Sequence, residues 1–418
     1  MTDDSAKPKA IDRRRFVAGM ATASVASAVL SSPFIGSAQA QAAVKIGLVY
    51  AKQGVWAEHG EASVHGARVA LEQAGGKALG RPVEIPWLDE PNPQTAQQNA
   101  EKLIGEEKVV AIIGGTNSAN GLAMSAVADR AKTPYIGSSV AAREITGERC
   151  NRYTFRTLGT SPVFAKAITP YGLEYGKNWY FIFPAYAFGT DMHKAMKGLL
   201  EAAGGKEVGA DQVPLGTTDY SSYILKMRQA KPNGVAIVLV GNDLSNFCKQ
   251  YNELGMSGRV PLIHPVSNDT DLWPLGKNIP AGVYGKGWHY NDPKNSVADQ
   301  DFVKRYTAKV GKPPTMTSFC GWMSMRMLLS GIEAAGGTGA ADIVKALEKL
   351  RLPDGATEIY YRSWDHQLIR RSVILAPRQT ITDPYDAMVV RANVPENPAE
   401  LEALYGTPQE IGCKMGEV

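Results

Sequence analysis

The chain has 418 residues, of which 44% are hydrophobic and 21% charged, and its formal net charge is +4. A single hydrophobic core stops growing at about 250–300 residues, so this length indicates two lobes. A net charge this close to balance argues against nucleic acid or an anionic membrane surface as the partner.

The first forty residues have the layout of an export signal. An arginine run, Arg13–Arg15, precedes a mildly apolar stretch over about 17–35, which ends in the small-x-small sequence Ala38–Ala40. Adjacent arginines in this place favour the twin-arginine route and a periplasmic location. A membrane anchor is the alternative, but Ser, Pro and Gly interrupt the stretch, and spanning takes about 20 predominantly apolar residues. Removing residues 1–40 takes away five basic and three acidic residues and leaves a net charge of +2.

Short apolar runs alternate with amphipathic helical stretches after this segment. Strands are predicted at 44–50, 83–88, 109–113 and 134–137, and helices near 59–75, 93–107 and 118–132. Runs of four to eight apolar residues between helices of ten or more are typical of parallel strands covered on both faces. This part of the chain therefore predicts a doubly wound α/β lobe.

The same alternation starts again near residue 153 and predicts a second α/β lobe. Its strands are expected at 153–157, 179–183, 207–213, 234–240, 260–264 and 282–288, and its helices near 161–175, 189–203, 219–230 and 243–255. Helices at about 297–310, 317–336 and 339–350 follow. The helix at 317–336 is apolar nearly all round, so we expect it to be buried.

Four cysteines occur in the chain, and an oxidising compartment would permit disulfides among them. Three pairings are possible, and the sequence does not choose between them. Cys248 and Cys320 lie in helical patterns and are expected to be buried small hydrophobes. Cys150 and Cys413 lie in polar irregular segments, which makes them the candidate bridge and would pin the C-terminal tail.

Motifs for catalysis, cofactors or metals are missing from the sequence. The segment after the first strand lacks the dinucleotide fingerprint, and no P-loop, H-E-x-x-H or G-x-S-x-G is present. The six histidines show no metal-ligand spacing, so no metal and no cofactor are expected. The cluster 268–271, which contains Asp269, is too short for an EF-hand loop and is expected to cap a helix.

Small polar residues follow two predicted strands, where ligands lie in open α/β sheets. Thr116, Asn117 and Ser118 come after the strand at 109–113, and a second hydroxyl-rich loop covers 137–142. Bare N–H groups at a helix start favour a carboxylate, although ordinary helix capping explains a single loop equally well. Two adjacent loops of this kind favour an anion pocket.

Aromatic residues occur in the corresponding loops of both lobes, where they could wall an apolar ligand. They are Tyr50, Trp56, Tyr186, Phe188, Trp288 and Tyr290. Asp243 follows the strand at 234–240, where it could hold an ammonium group or cap the next helix, and capping is the preferred interpretation.

The mature chain resembles type I periplasmic substrate-binding proteins of the branched-chain amino acid (Leu/Ile/Val-binding-like) class, the soluble components of ABC importers. The resemblance covers about 44–392 and rests on the order and spacing of several segments: KIGLVYAKQGVWAEHGEASVHGARVALEQAGG, VVAIIGGTNSANGLAMSAVADRAKTPYIGSS, YTFRT and FPAYAFGTDM. It implies two α/β lobes joined by three crossings. Lobe I would hold 44–157 with 288–365, lobe II 158–287 with 366–392, and the tail 393–418.

The resemblance also implies which positions contact the ligand. The carboxylate is held by the loop of Thr116, Asn117 and Ser118 and by a second loop. The second loop contains Ser138, Ser139 and Ala141, and Ala141 stands where relatives often carry Thr. His59, with Trp56 nearby, takes the place of an aromatic residue in the first loop, and Phe188, with Tyr186, takes that of a second-lobe aromatic.

The acid that holds the ammonium in branched-chain amino acid binders falls near Val266, and Asp243 and Asp269 are the substitutes in the sequence. The ligand is expected to be a small carboxylate, either branched-chain amino acid-like or an aromatic or aliphatic acid. Because an unpaired buried ammonium is costly, the missing acid leads to the hypothesis of an aromatic or branched aliphatic acid without an α-amine.

Three functions are compatible with these features. The first is a monomeric, non-enzymatic binding protein that delivers its ligand to an ABC permease in the inner membrane. The second is a ligand-sensing receptor subunit of the same fold, and the third is an exported hydrolase or oxidoreductase. Binding is preferred because no nucleophile–base pair or cofactor motif supports an enzyme.

Overall fold

A computed structural model describes residues 42–355 and 357–416 of the chain. The predicted export signal at 1–40 lies outside these residues. The described residues belong to one compact unit, and none of their helices combines the length and hydrophobicity that crossing a bilayer takes.

The first sheet is built from the apolar runs of residues 44–156. Its strands are β1 (Val44–Val49), β2 (Lys77–Ala78), β3 (Arg81–Glu84), β4 (Trp87–Leu88), β5 (Ala111–Gly114), β6 (Tyr135–Gly137) and β7 (Thr154–Arg156). The order is β2-β3-β1-β5-β6-β7, with β4 also paired to β1. All pairs are parallel except β2 with β3. Since helices cover both faces, β1, β5 and β6 are almost entirely buried.

The single strand predicted at 83–88 is two short strands in the structure. Pro86 cannot donate to the ladder, and its carbonyl accepts a hydrogen bond from Leu48 N instead. Strand β3 therefore pairs with the start of β1 and β4 with its end.

Helices α1 (Ala57–Gln73), α2 (Pro93–Gly105) and α3 (Ser118–Ala131) connect these strands. Asn92 caps α2 by accepting from Thr95 N, and Asn117 caps α3 by accepting from Asn120 N. Asparagine caps and a proline at the first position of α2 are strong helix-start signals, which is why these two boundaries were predictable.

The second sheet is built in the same way, from the apolar runs of residues 178–286. Its parallel strands are β8 (Asn178–Pro184), β9 (Lys206–Val213), β10 (Gly234–Ile237), β11 (Leu262–His264) and β12 (Gly282–Lys286). Its helices are α4 (Ser161–Leu173), α5 (Ala187–Ala202), α6 (Ser221–Ala230), α7 (Asn242–Glu253) and α8 (Asp269–Leu272).

Three further helices return to the first lobe: α9 (Val297–Val310), α10 (Met316–Ala335) and α11 (Ala340–Lys349). Helix α10 is buried along most of its length and packs on α1 at glycine contacts. A Cβ at Gly66 would lie 1.9 Å from the Ser318 carbonyl oxygen, and one at Gly321 would lie 2.0 Å from the Ser63 carbonyl oxygen. Glycine is needed at both positions because the two backbones touch.

The chain then returns to the second lobe. After a hairpin of β13 (Leu352–Asp354) and β14 (Thr357–Ile359), the antiparallel strands β15 (Ser372–Pro377) and β16 (Met388–Val394) join β12. The order is β16-β15-β12-β11-β10-β8-β9. Two parallel-sheet lobes with three connecting segments, after β7, β12 and β14, confirm the predicted fold class. The second sheet reaches Val394, slightly beyond the predicted start of the tail.

The C-terminal tail contains α12 (Leu401–Tyr405) and α13 (Pro408–Ile411) and lies against both lobes. A disulfide with an S–S length of 2.07 Å joins Cys413 to Cys150 of lobe I. The Tyr405 hydroxyl donates to the Arg370 carbonyl and its ring packs on Val163 of α4. Cys248 and Cys320 are free and buried.

Candidate functional site

A cavity of about 460 Å³ lies between the two lobes, at the carboxyl ends of their strands. Parallel strands direct their following loops to this one edge, so residues far apart in sequence meet there. The lining consists of Trp56, His59, Thr116, Asn117, Ser118, Ser139, Ala141, Leu158, Tyr186, Phe188, Val240, Val266, Asn268, Met316 and Thr317. The combination of hydroxyl groups and aromatic rings in this lining suits a small organic ligand.

Nine of the twelve residues that the sequence points to line this cavity: Trp56, His59, Thr116, Asn117, Ser118, Ser139, Ala141, Tyr186 and Phe188. Ser138, Asp243 and Asp269 do not. Ser138 is fully buried and does not line the cavity.

Hydroxyl groups and a helix start form one end of the cavity. Ser118 is the first residue of α3, and its Oγ accepts from Ala141 N and Ala142 N, each at 3.1 Å. Thr116 Oγ1 accepts from Ala51 N at 3.1 Å. Both hydroxyls therefore keep their own proton to donate. Since the start of a 14-residue helix also carries partial positive charge, this end suits an anion.

Glu90 supports the hydroxyl end from behind and was missed by the sequence reasoning. Its Oε1 accepts from Thr116 N, and its carbonyl accepts from Asn120 Nδ2 at 2.6 Å. Burial raises the pKa of this carboxyl to about 8, so it is mostly protonated at neutral pH and adds little negative charge. The available signal was an acidic residue directly after the strand predicted at 83–88.

Aromatic rings form the opposite wall. The ring centroids of Trp56 and Tyr186 are 6.2 Å apart in an edge-to-face arrangement, and Phe188 lies 6.2 Å from Tyr186. Trp56 Nε1 is buried and has no hydrogen-bond partner among the described residues. This wall therefore presents apolar surface and one free hydrogen-bond donor, Trp56 Nε1, to a ligand.

The expectation that Trp288 and Tyr290 also wall the cavity is wrong. Trp288 stacks on Phe319 at 4.8 Å in the core that α10 covers, and the Tyr290 hydroxyl donates to the Tyr385 carbonyl. Tyr50 is likewise fully buried and does not line the cavity. Tertiary contacts, with α10 for Trp288 and with Tyr385 for Tyr290, decide the side-chain direction there, and the local sequence does not show them.

The acids that might hold an ammonium have other partners. Asp243 lies inside the first turn of α7, whose cap is Gly241, and its Oδ2 accepts from Gly216 N at 3.0 Å. Asp269 Oδ2 lies 2.5 Å from Lys286 Nζ in a buried ion pair. The expectation that Asp243 caps α7 is wrong, because the N-cap of α7 is Gly241. Asn268 of the 268–271 cluster does occupy the N-cap position of α8, although its side chain forms no cap bond there. Among the residues that the structure describes, no acidic side chain lines the cavity.

One buried pair connects the two lobes beside the cavity. His59 Nε2 of lobe I lies 2.6 Å from Asp271 Oδ1 of lobe II, and both side chains are buried. Asp271 Oδ2 also accepts from Gly241 N at 2.8 Å. With Asn268 Oδ1 accepting from Thr317 N at 3.3 Å, these contacts show lobes closed around the cavity.

Apart from Val266, the remaining lining residues were also missed. Leu158 lies in the first crossing, Val240 and Asn268 lie in second-lobe loops, and Met316 and Thr317 begin α10. The loop residues follow predicted strands and could have been found from the principle that ligands lie at the carboxyl ends of parallel strands. The start of α10 reaches the cavity only through the return of the chain to lobe I, for which no local signal exists.

Metal binding has no visible basis in the part of the chain that the structure describes. No group of three His, Cys, Asp or Glu side chains there is arranged to hold an ion. The site is therefore described by hydroxyls, a helix start, aromatic rings and one interlobe hydrogen bond between His59 and Asp271.

Known proteins resemble this chain over most of its length. The model of the family described as periplasmic binding protein matches residues 43–378. Leu/Ile/Val-binding protein homolog 8 of Brucella suis biovar 1 (strain 1330) is 28% identical over 363 residues, which cover 81% of this chain and 87% of that protein.

Solved structures show the same architecture. A periplasmic binding protein from Burkholderia mallei superposes with a TM-score of 0.82 at 26% identity, covering 89% of this chain and 98% of the other. A branched-chain amino acid ABC transporter periplasmic ligand-binding protein from Burkholderia xenovorans LB400 gives 0.76 at 26%, covering 89% and 99%. An R. palustris solute-binding protein in complex with benzoate gives 0.76 at 21%, covering 84% and 96%, and shows the fold alone. The chain belongs to the periplasmic binding protein family, as an extracytoplasmic solute-binding protein of the Leu/Ile/Val-binding-like group.

Proposed function

We propose that this protein is the monomeric solute-binding subunit of an ABC importer and delivers a small carboxylate to a permease in the inner membrane. A ligand in the cavity would contact both lobes at once, so its binding energy would favour the closed arrangement. The family membership and the interlobe position of the cavity support this proposal.

The hydroxyl end of the cavity would hold the carboxylate. Ser118 and Thr116 offer O–H donors, and Ser139 Oγ is buried without a hydrogen-bond partner among the described residues. Charge-assisted hydrogen bonds from such donors are about twice as strong as neutral ones.

The absence of an acidic side chain from the cavity lining carries the choice of ligand. Asp243, Asp269 and Asp271 are buried near the site, but each is engaged by a group of the protein. An α-ammonium would find no carboxylate partner in the lining, and burying it unpaired is costly. We therefore infer an aromatic or branched aliphatic acid that lacks an α-amine, with its body against Trp56, Tyr186 and Phe188.

Pairs of ligands that differ only at the α-carbon test this inference. Leucine is compared with 4-methyl-2-oxopentanoate, phenylalanine with phenylpyruvate, and benzoate is added as a flat acid. At a concentration one hundred times its Kd, a ligand stabilises the folded state by about 2.7 kcal/mol, which raises Tm by several degrees.

We expect at least one oxo acid or benzoate to raise Tm and to give a saturable calorimetric titration, while its amino acid partner does neither. Stabilisation by leucine equal to or above that by its oxo acid would show that the cavity accepts an ammonium.

We also propose that the protein reaches the periplasm by the twin-arginine route. The arginine run Arg13–Arg15 ahead of the apolar stretch supports it. Replacing Arg13, Arg14 and Arg15 by lysine should leave the precursor in the cytoplasm, as fractionation would show. Unchanged export of this variant would favour the general secretory route.

A further inference from the structure

A second, larger pocket lies where both lobes meet the C-terminal tail. We call it the lobe–tail pocket, and it has about 1010 Å³ of space. Lobe I contributes Arg143 and Arg156, lobe II contributes α4 and α5, and the tail contributes Tyr405 and Glu410. It shares no lining residue with the cavity described above.

Basic side chains predominate in this pocket. Its charged lining residues are Arg143, Arg156, Lys166 and Lys194 against Asp191 and Glu410. Asp191 Oδ1 lies 3.7 Å from Arg143 Nε, and its Oδ2 accepts from Arg143 N, so this carboxylate is largely used. Arg143 Nη2 also lies 2.6 Å from Glu148 Oε1, so the charge of Arg143 is already compensated. Arg156, Lys166 and Lys194 against Glu410 then leave two positive charges in excess.

Arg156 provides a fixed positive charge at the floor of the pocket. It is fully buried, and its guanidinium donates to neutral acceptors: the Gln367 side chain at 2.7 Å, the Ala142 carbonyl at 2.6 Å and the Thr146 hydroxyl. Burial lowers the pKa of Arg156 to about 10, which still leaves it cationic at neutral pH. No carboxylate within the described residues forms an ion pair with it.

Lys166 and Lys194 provide mobile charge at the rim. They lie on α4 and α5, and neither forms an ion pair or side-chain hydrogen bond with any residue that the structure describes. Long ammonium side chains without partners can turn toward a ligand at little cost.

We propose that the lobe–tail pocket is a second ligand site that takes a small dianion of the phosphate or dicarboxylate class. The two negative charges of such a ligand match the excess of two positive charges in the pocket. The aliphatic parts of the two lysine side chains, with Leu199 and Tyr405, leave room for a short organic body. The proposal does not depend on which acid the interlobe cavity holds.

Occupancy of this site would favour closure of the lobes. The walls come from both lobes, so an anion that contacts Lys166 and sits in the field of Arg143 and Arg156 binds the closed arrangement better than an open one. By linkage, the anion and the ligand of the interlobe cavity would then strengthen each other's binding by the same factor.

The test is calorimetric titration with inorganic phosphate, succinate and acetate, at constant ionic strength in a buffer without oxyanions. The pocket variant is Lys166→Gln/Lys194→Gln. The matched control is Lys249→Gln/Lys345→Gln, which removes the same charge from exposed lysines of α7 and α11.

We expect one phosphate or succinate per chain, with acetate weaker. The pocket variant should lose at least about tenfold in affinity, since hydrogen bonds to charged groups are removed, and the control should change by less than about twofold. Binding of phosphate but not succinate, or of succinate but not phosphate, would identify the chemical class of the dianion. Either result supports the proposal.

No saturable binding of either dianion would overturn the proposal, as would equal losses in the two lysine variants. A Trp56→Ala variant locates the anion, because Trp56 lines the interlobe cavity and not the lobe–tail pocket. Its phosphate or succinate affinity should be unchanged, and a loss there would place the anion in the interlobe cavity instead.

Discussion

At the scale of the single residue, Glu90 shows how burial changes a carboxyl beside an anion site. A side chain that is 1% exposed loses the hydration of its charged form, and this raises the pKa to about 8. Its Oε2 has no hydrogen-bond partner among the described residues, as fits a protonated carboxyl. Glu90 therefore orients Thr116 without repelling an incoming carboxylate.

This raised pKa predicts a pH dependence of stability. The folded state holds a proton on Glu90 between the ordinary value of 4.5 and about 8, whereas the unfolded chain releases it. Stability is therefore lost as pH rises through that window, by about 1 kcal/mol per pH unit. Glu90→Gln keeps an acceptor for Thr116 N but cannot ionise.

Urea unfolding of both proteins at pH 5.5, 7.0 and 8.5 measures the effect. The free energy of unfolding of the wild type should fall relative to that of Glu90→Gln as pH rises. Parallel curves for the two proteins would mean that Glu90 ionises normally in the fold.

At the scale of the element, the start of α3 is the part of the site on which the proposed carboxylate contact depends. Ser118 Oγ accepts from two backbone N–H groups and holds the loop after β6 against the helix. The same hydroxyl then has one proton for a ligand. Ser118 Oγ therefore both holds the loop in place and provides the proposed ligand contact.

Ser118→Ala is expected to weaken binding of the acid selected in the ligand panel by about tenfold or more. It should also lower stability by about 1–3 kcal/mol, because two N–H groups lose their acceptor. Ser125→Ala is the matched control, since Ser125 lies on the same helix and bonds Thr154 and Asn151 instead. Calorimetry should show an unchanged ligand affinity for the control, and equal losses in both variants would contradict the role given to Ser118.

At the scale of the whole molecule, the pair of His59 and Asp271 links closure to the cavity. His59 lines the cavity from lobe I, and Asp271 of lobe II contacts His59. Opening the lobes would separate the pair and expose both groups to water. Closure is therefore favoured by a contact that lies next to the ligand.

Asp271→Ala is expected to weaken ligand binding by about tenfold or more and to leave a larger radius of gyration at saturating ligand, as measured by small-angle X-ray scattering. Asp243→Ala is the control, because Asp243 is also buried in lobe II but bonds Gly216 of its own lobe. The control should lose stability without opening the lobes. A compact Asp271→Ala complex would remove the pair from the closing mechanism.

Sequence patterns predicted much of the fold because its strands are short apolar runs and its helices have clear starts. Asn92 and Asn117 mark two helix starts, and the runs of β1, β5 and β8 are buried in the structure. The strand-end rule also predicted most of the cavity lining, since parallel strands deliver their loops to one edge whatever the details of packing.

The amino-acid sequence by itself determined the two-lobed α/β architecture and the hydroxyl-rich loops, since both follow from local periodicity and chain direction. Only the tertiary structure decided what each polar or aromatic side chain faces. Lys286 pairs with Asp269, Phe319 stacks on Trp288, and His59 is hydrogen-bonded to Asp271. Such partners are distant in sequence, and the free energy of pairing a buried charge or ring depends on which neighbour the fold brings within contact.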